Sequence, residues 1–299
     1  MRTLSALLAC LLTGGLSSAL AEPPSLAKNA SCKECHQAAW AQWKSSRHAV
    51  AGTNSTFKFE YQSHPGNWCL GCHAPRKQVQ EPALTHKRAL RAGVDCLSCH
   101  MQEGQLVSAS KADSSPHQTK VDGNFGSTDM CAGCHQFNFP VLSPKGELIS
   151  YTDQPMQDTA NEFRRSAMSS SGTECVSCHM PGGSHAFPGA YDAKQVRKAL
   201  QLSVCQNQTA LQVTISNRLQ AHNLPSGGIN RAIVLSLWAA NNPGGVRKYR
   251  LERLFKGPLG KRVKRKDTTL GPGQSATWKV LRSYLSLDEV KTIHLQSQF

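Results

Sequence analysis

The sequence predicts two textures in one chain: an α-helical and loop region over residues 22–200, then a small antiparallel β-sandwich-like region over 201–299. Three observations predict it. A pattern Cys-x-x-Cys-His occurs five times before residue 180 and never after it. Residues 22–200 hold few strand patterns, and the whole chain is only 39% hydrophobic, which leaves little apolar side chain to fill a core. From Leu211 onward, apolar and polar residues alternate between turn signals, as they do in half-buried strands.

At the start of the chain, Met1 to Ala21 reads as a secretory signal. Arg2 supplies the positive end, Leu4 to Leu12 the apolar run, and Ala19-Leu20-Ala21 the cleavage site before Glu22. The run is too short to span a bilayer, and no later segment is apolar enough. The expectation is an exported protein, periplasmic or beyond, with no transmembrane segment in the mature chain.

The repeated motif begins at Cys32. Paired cysteines also bind zinc or do dithiol chemistry, but neither use depends on the residue after the second Cys. Here His stands there every time. With 12 His in 299 residues, composition alone would put His there at about 4% per site, so chance does not explain five in five. Cys-x-x-Cys-His is the attachment site of c-type haem: the thiols add to the vinyl groups and the imidazole binds iron. The expected cofactors are five covalently bound haem c groups. Their thioether residues are Cys32 and Cys35, Cys69 and Cys72, Cys96 and Cys99, Cys131 and Cys134, and Cys175 and Cys178. Their proximal iron ligands are His36, His73, His100, His135 and His179. In this reading the haems are the missing core of residues 22–200. Of the 12 cysteines, Cys10 leaves with the signal, and Cys205 is expected to be a small buried hydrophobe.

Between the motifs, Gln37 to Val50 reads as a helix carrying Trp40, Trp43 and His48. A helix from His36 to His48 would be about 18 Å long. His48 should therefore serve a haem other than the one held by His36. Leu84 to Gly93 reads as a short helix stopped by Gly93. Gly104 to Thr128 is a polar loop carrying His117. Ser143-Pro144-Lys145-Gly146 is a turn, Thr159 to Met168 a helix, and Asp192 the cap of a helix reaching Leu200. In the last hundred residues Leu211, Val213 and Ile215, then Ile233, Leu235 and Leu237, mark strands. Asn241 to Gly245 and Gly271-Pro272-Gly273 mark turns, and some six strands fit a partial sandwich.

The formal charge of +15 suggests nucleic-acid binding until the cofactors are counted. Haem propionates bring it to about +9 oxidised and about +4 reduced, so nucleic acid is not an expected partner. The densest basic tract runs from Arg247 to Lys266 and reads as a solvated strand face and loop, with docking to an acidic partner or an anionic surface as the alternative.

Seven histidines lie outside the motifs. A haem with two imidazoles is low-spin and moves electrons, whereas a haem with one can bind a substrate. Distal candidates are His48, His117, His185 and His222, then His64 and His86; His294 is the weakest, because its strand neighbours Ile293 and Leu295 define the apolar face.

Cys32 to His48, with Trp40, Trp43 and Ser46, resembles the opening of the cytochrome c-554 family and its superfamily, which includes hydroxylamine oxidoreductase. Cys175 to Pro181, followed by His185, does so too. The resemblance implies that His48 ligates a distant haem. Ala221 to Gly227 resembles the G-H-x-x-P-[ST]-G loop of related multihaem proteins with a C-terminal β domain, Ala221 standing in place of the usual Gly.

The expected function is electron transfer by an exported pentahaem cytochrome in anaerobic respiration. Its partners would be other redox proteins: a quinol-linked donor and a cytochrome or reductase acceptor, in the periplasm or outer membrane. One alternative is a reductase or oxidase of small nitrogen or sulfur oxyanions working at one open haem. Another is a self-assembling conduit joined through the β region.

Overall fold

The computed structural model describes residues 29–76, 86–111, 116–219, 221–239, 242–281 and 292–298. The expected signal, Met1 to Ala21, lies outside them. The described residues begin with α1 (Asn29–Cys35), α2 (Gln37–Lys44), α3 (Ser55–Ser63), α4 (Asn67–His73), α5 (His86–Ala92) and α6 (Cys96–His100). Short strands β1 (Met101–Gln102), β2 (Gln105–Ser108) and β3 (Lys120–Val121) form one small sheet. Then come α7 (Thr128–His135), the hairpin β4 (Gln136–Leu142) and β5 (Leu148–Asp158), α8 (Thr159–Arg164), α9 (Ala167–Ser170), α10 (Cys175–His179) and α11 (Ala193–Ala199). Each Cys-x-x-Cys-His motif falls at the C-terminal end of a helix, at α1, α4, α6, α7 and α10.

Several local signals act as expected. Asp192 caps α11 by accepting from Lys194 N and Gln195 N. Gly93 follows α5 at φ +62, where a Cβ would lie 2.6 Å from His48 O. Glycine is required there both for the left-handed backbone and for the close approach. That approach joins the segment after α5 to the turn carrying His48, through Val94 N to His48 O (3.0 Å) and Trp43 Nε1 to Val94 O (2.8 Å).

Other expectations need correction. The helix expected to reach Val50 ends at Lys44, because serines offer the backbone other partners: Ser45 Oγ donates to Gln42 O (2.9 Å) and Ser46 Oγ accepts from Ala49 N (3.4 Å). The helix expected over Thr159 to Met168 is two helices, with Ser166 opening the second as its cap. The β4–β5 hairpin carries no strand signal in the sequence, because its register shifts and prolines break the alternation that marks strands.

From Leu200 the chain forms two sheets. One is ordered β11-β7-β6 and the other β10-β9-β8-β12, where β6 is Leu200–Gln206, β7 Ala210–Asn217, β8 Ala232–Ala239, β9 Asn242–Lys256, β10 Val263–Asp267, β11 Ser275–Leu281 and β12 Thr292–Gln298. The start of β9 takes up most of the turn expected over Asn241 to Gly245. Leu211, Val213 and Ile215 from one sheet pack with Ile233, Leu235, Leu237 and Leu251 from the other in a single buried cluster. Burying each such side chain contributes about 1.5–3 kcal/mol. Cys205 lies on β6, an edge strand, and is exposed rather than buried. Nothing pairs β6 on its outer side among the described residues, and alternation alone cannot tell an edge from a centre.

Candidate functional site

Among the described residues the helical region holds small side-chain clusters, Phe57 with Leu70, Ala74 and Ala89, and Leu97 with Met101 and Leu106. Between its helices lies a continuous cavity of about 2260 Å³, larger than the roughly 300–1,000 Å³ of an ordinary ligand pocket. All ten motif cysteines and all five motif histidines line it, together with His48, His64, His117, His185 and His222.

The motif helices are held to one another by buried polar groups. Asp95 caps α6 by accepting from Ser98 N (3.0 Å) and pairs with Arg76 Nη1 at 2.8 Å, with both side chains buried; this joins the chain just after α4 to the start of α6. Glu174, immediately before α10, accepts from Thr128 N at the start of α7 (2.6 Å). The thiols of neighbouring motifs also meet, Cys32 with Cys96, Cys72 with Cys134 and Cys131 with Cys175.

Four imidazole pairs face each other at nearly one separation. Ring centroids are 6.2 Å apart for His36 and His117, 6.2 Å for His48 and His135, 6.3 Å for His100 and His185, and 6.4 Å for His179 and His222. Two imidazoles binding one metal from opposite sides, with metal–nitrogen bonds of about 2 Å, place their ring centres about 6.3 Å apart. Each pair combines one motif histidine with one from a distant segment.

Second-nitrogen contacts fit the same use. Nδ1 of His73, His100, His179 and His222 lies 2.7–3.0 Å from the carbonyls of Ala51, Val107, Pro188 and Asn223, which orients each ring and leaves Nε2 for a metal. His185 Nδ1 is buried with no hydrogen-bond partner among the described residues, an orphan that a metal bond would satisfy. Burial pushes His48 down to about 4 and also lowers His73, His100, His135 and His222. Each therefore keeps the neutral form that ligates metals.

Other candidates lie differently. His73 stacks on Phe57 at 4.2 Å and has no imidazole at pair distance among the described residues. His64, the residue after α3, is exposed. His86 opens α5, is exposed and stacks on Tyr61 at 5.7 Å. His294 stands opposite Ser236 in the β8–β12 ladder.

Five thiol pairs, an imidazole beside each pair and a cavity with little side-chain filling suit haem c. Comparison with known proteins agrees: residues 31–101 match the family model described as cytochrome c554 and c-prime. The solved structure of a penta-heme cytochrome c552 from Thermochromatium tepidum is similar over 89% of both chains, with a TM-score of 0.65 and 19% sequence identity; at that identity the likeness is one of fold. No sequence among the curated proteins matches the chain. No helix among the described residues is long and apolar enough to cross a membrane.

Proposed function

We propose that the chain is an exported pentahaem cytochrome that carries electrons between redox proteins, a quinol-linked donor on one side and a cytochrome or reductase on the other. The four imidazole pairs at 6.2–6.4 Å carry this reading. When bound, haem c supplies a one-electron iron couple, and two imidazoles on one iron keep it low-spin in both states. The cysteines of each motif anchor one haem. His36 with His117, His135 with His48, His100 with His185, and His179 with His222 hold the irons of four. Arg231, a half-buried residue whose charge acts on His135 and His222, and Arg47, stacked on Tyr191 at 3.9 Å, are cations suited to propionates.

The second reading, reduction or oxidation of small nitrogen or sulfur oxyanions, rests on His73. Its aromatic neighbour is Phe57, which cannot ligate. A haem held by His73 with one protein nitrogen would leave a face for a small ligand, fed by the four paired centres. Neither His64 nor His86 is assigned to it. Low-temperature electron paramagnetic resonance of the oxidised holoprotein tests both readings. The expected spectrum holds four low-spin irons and about one high-spin iron per chain. Five low-spin irons would remove the open site, and two or more high-spin irons would overturn the pair assignments. If the open site stands, nitrite or hydroxylamine added to the oxidised protein should perturb only the high-spin signal.

A further inference from the structure

Glu162 and Arg253 form a buried ion pair that neither lines up with a motif nor reaches an iron ligand directly. Glu162 is 4% exposed and Arg253 7%, with Arg253 Nη1 3.4 Å from Glu162 Oε1. One comes from α8 in the helical region and the other from β9 in the sheets. The turn carrying His222 packs against the pair, and both residues grip it. Glu162 Oε2 accepts from Asn223 N (3.2 Å) and from Ser226 Oγ (2.6 Å). Arg253 Nη2 donates to Gly227 O (2.8 Å). Ser226 Oγ also meets Thr159 Oγ1 at 2.8 Å. At the other end of the turn, Asn217 Nδ2 donates to His222 O and Leu270 O, both at 3.0 Å.

The turn belongs to no helix or strand; Leu224 pairs with Leu270 through two backbone hydrogen bonds of 2.9 Å, and on either side of that bridge these side chains hold the backbone. His222 and His179 meet with their rings within 12° of parallel, an alignment that requires a fixed backbone on both sides. We infer that Glu162 and Arg253 are positioning residues that clamp the 222–227 turn so that His222 can bind the iron held by His179. This rests on the assignment of His222 as an axial ligand. Loss of the carboxylate frees two turn donors and leaves the Arg253 charge buried without its partner. The turn then relaxes, and the imidazole leaves the iron while the helix carrying His179 keeps the haem.

The test compares holoprotein variants by electron paramagnetic resonance of the oxidised form and by carbon monoxide bound per chain after reduction. His222→Ala is expected to add about one high-spin iron and one binding equivalent to the unmutated count. Glu162→Ala should add a large part of the same increment, reversed by added imidazole. The double variant should add no more than His222→Ala alone. A change in His222→Ala with none in Glu162→Ala overturns the clamp and leaves the ligand assignment standing. No change in His222→Ala overturns both. If Glu162→Ala does not accumulate as holoprotein, Ser226→Ala removes only one hydroxyl from the carboxylate. It should give a smaller, imidazole-reversible increment, and spectra identical to the unmutated protein would overturn the clamp.

Discussion

The helical region and the C-terminal sheets solve the same problem with different materials. The sheets bury ten hydrophobic residues in one cluster drawn from both layers, enough apolar surface to hold strands together by side chains alone. The helical region has clusters of four and three buried residues around a cavity of about 2260 Å³. Its α-helices among the described residues are four to nine residues long, below the roughly 12–15 residues at which an isolated helix begins to hold in water. One region carries its core in its sequence, and the other is shaped for a core that is attached to it.

The sharpest way to break this comparison is to withhold the cofactor. A chain made without haem attachment should lose its helical circular dichroism and be digested from the N-terminal side, leaving a protected fragment that starts near Leu200. Equal digestion of both regions would show that the sheets depend on the haems as well. Single substitutions sharpen the contrast on a smaller scale. Asp95→Ala breaks a buried pair, a change that typically costs about 3–5 kcal/mol, and should lower haem content or perturb the low-spin spectrum. Leu235→Ala hollows the sheet core at about 2–5 kcal/mol and should lower the thermal midpoint with the haem spectrum unchanged. Spectral change in the second variant and none in the first would reverse the division of labour. The smallest effect belongs to Cys205, exposed on an edge strand. A thiol reagent should modify it in the native holoprotein, and Cys205→Ser should move stability by no more than about 0.5 kcal/mol.

Much of this is legible in the amino-acid sequence, for a physical reason in each case. Haem attachment needs two thiols and an imidazole within five consecutive residues, so a short string carries it. The strands at Leu211 to Ile215 and Ile233 to Leu237 repeat with the pleat, and Gly93 and Asp192 mark helix ends by backbone geometry. His48 stands beside His135, a residue of another motif; the helix after His36 stops at Lys44, and a turn carries the chain the rest of the way. Local regularity misleads elsewhere: Cys205 sits in an alternating strand that happens to be an edge, and β4–β5 is a long hairpin whose bulges hide its period.

The sequence by itself determined where the five Cys-x-x-Cys-His motifs stand and where the sheets begin, because each of these depends on residues close together along the chain. Only the tertiary structure decided that His36 meets His117, His100 meets His185 and His179 meets His222. It also decided that His73 meets Phe57 and that the Glu162–Arg253 pair bonds the turn carrying His222. Opposite faces of a metal site are filled by segments tens of residues apart, and no local pattern records which of them the folded chain brings together.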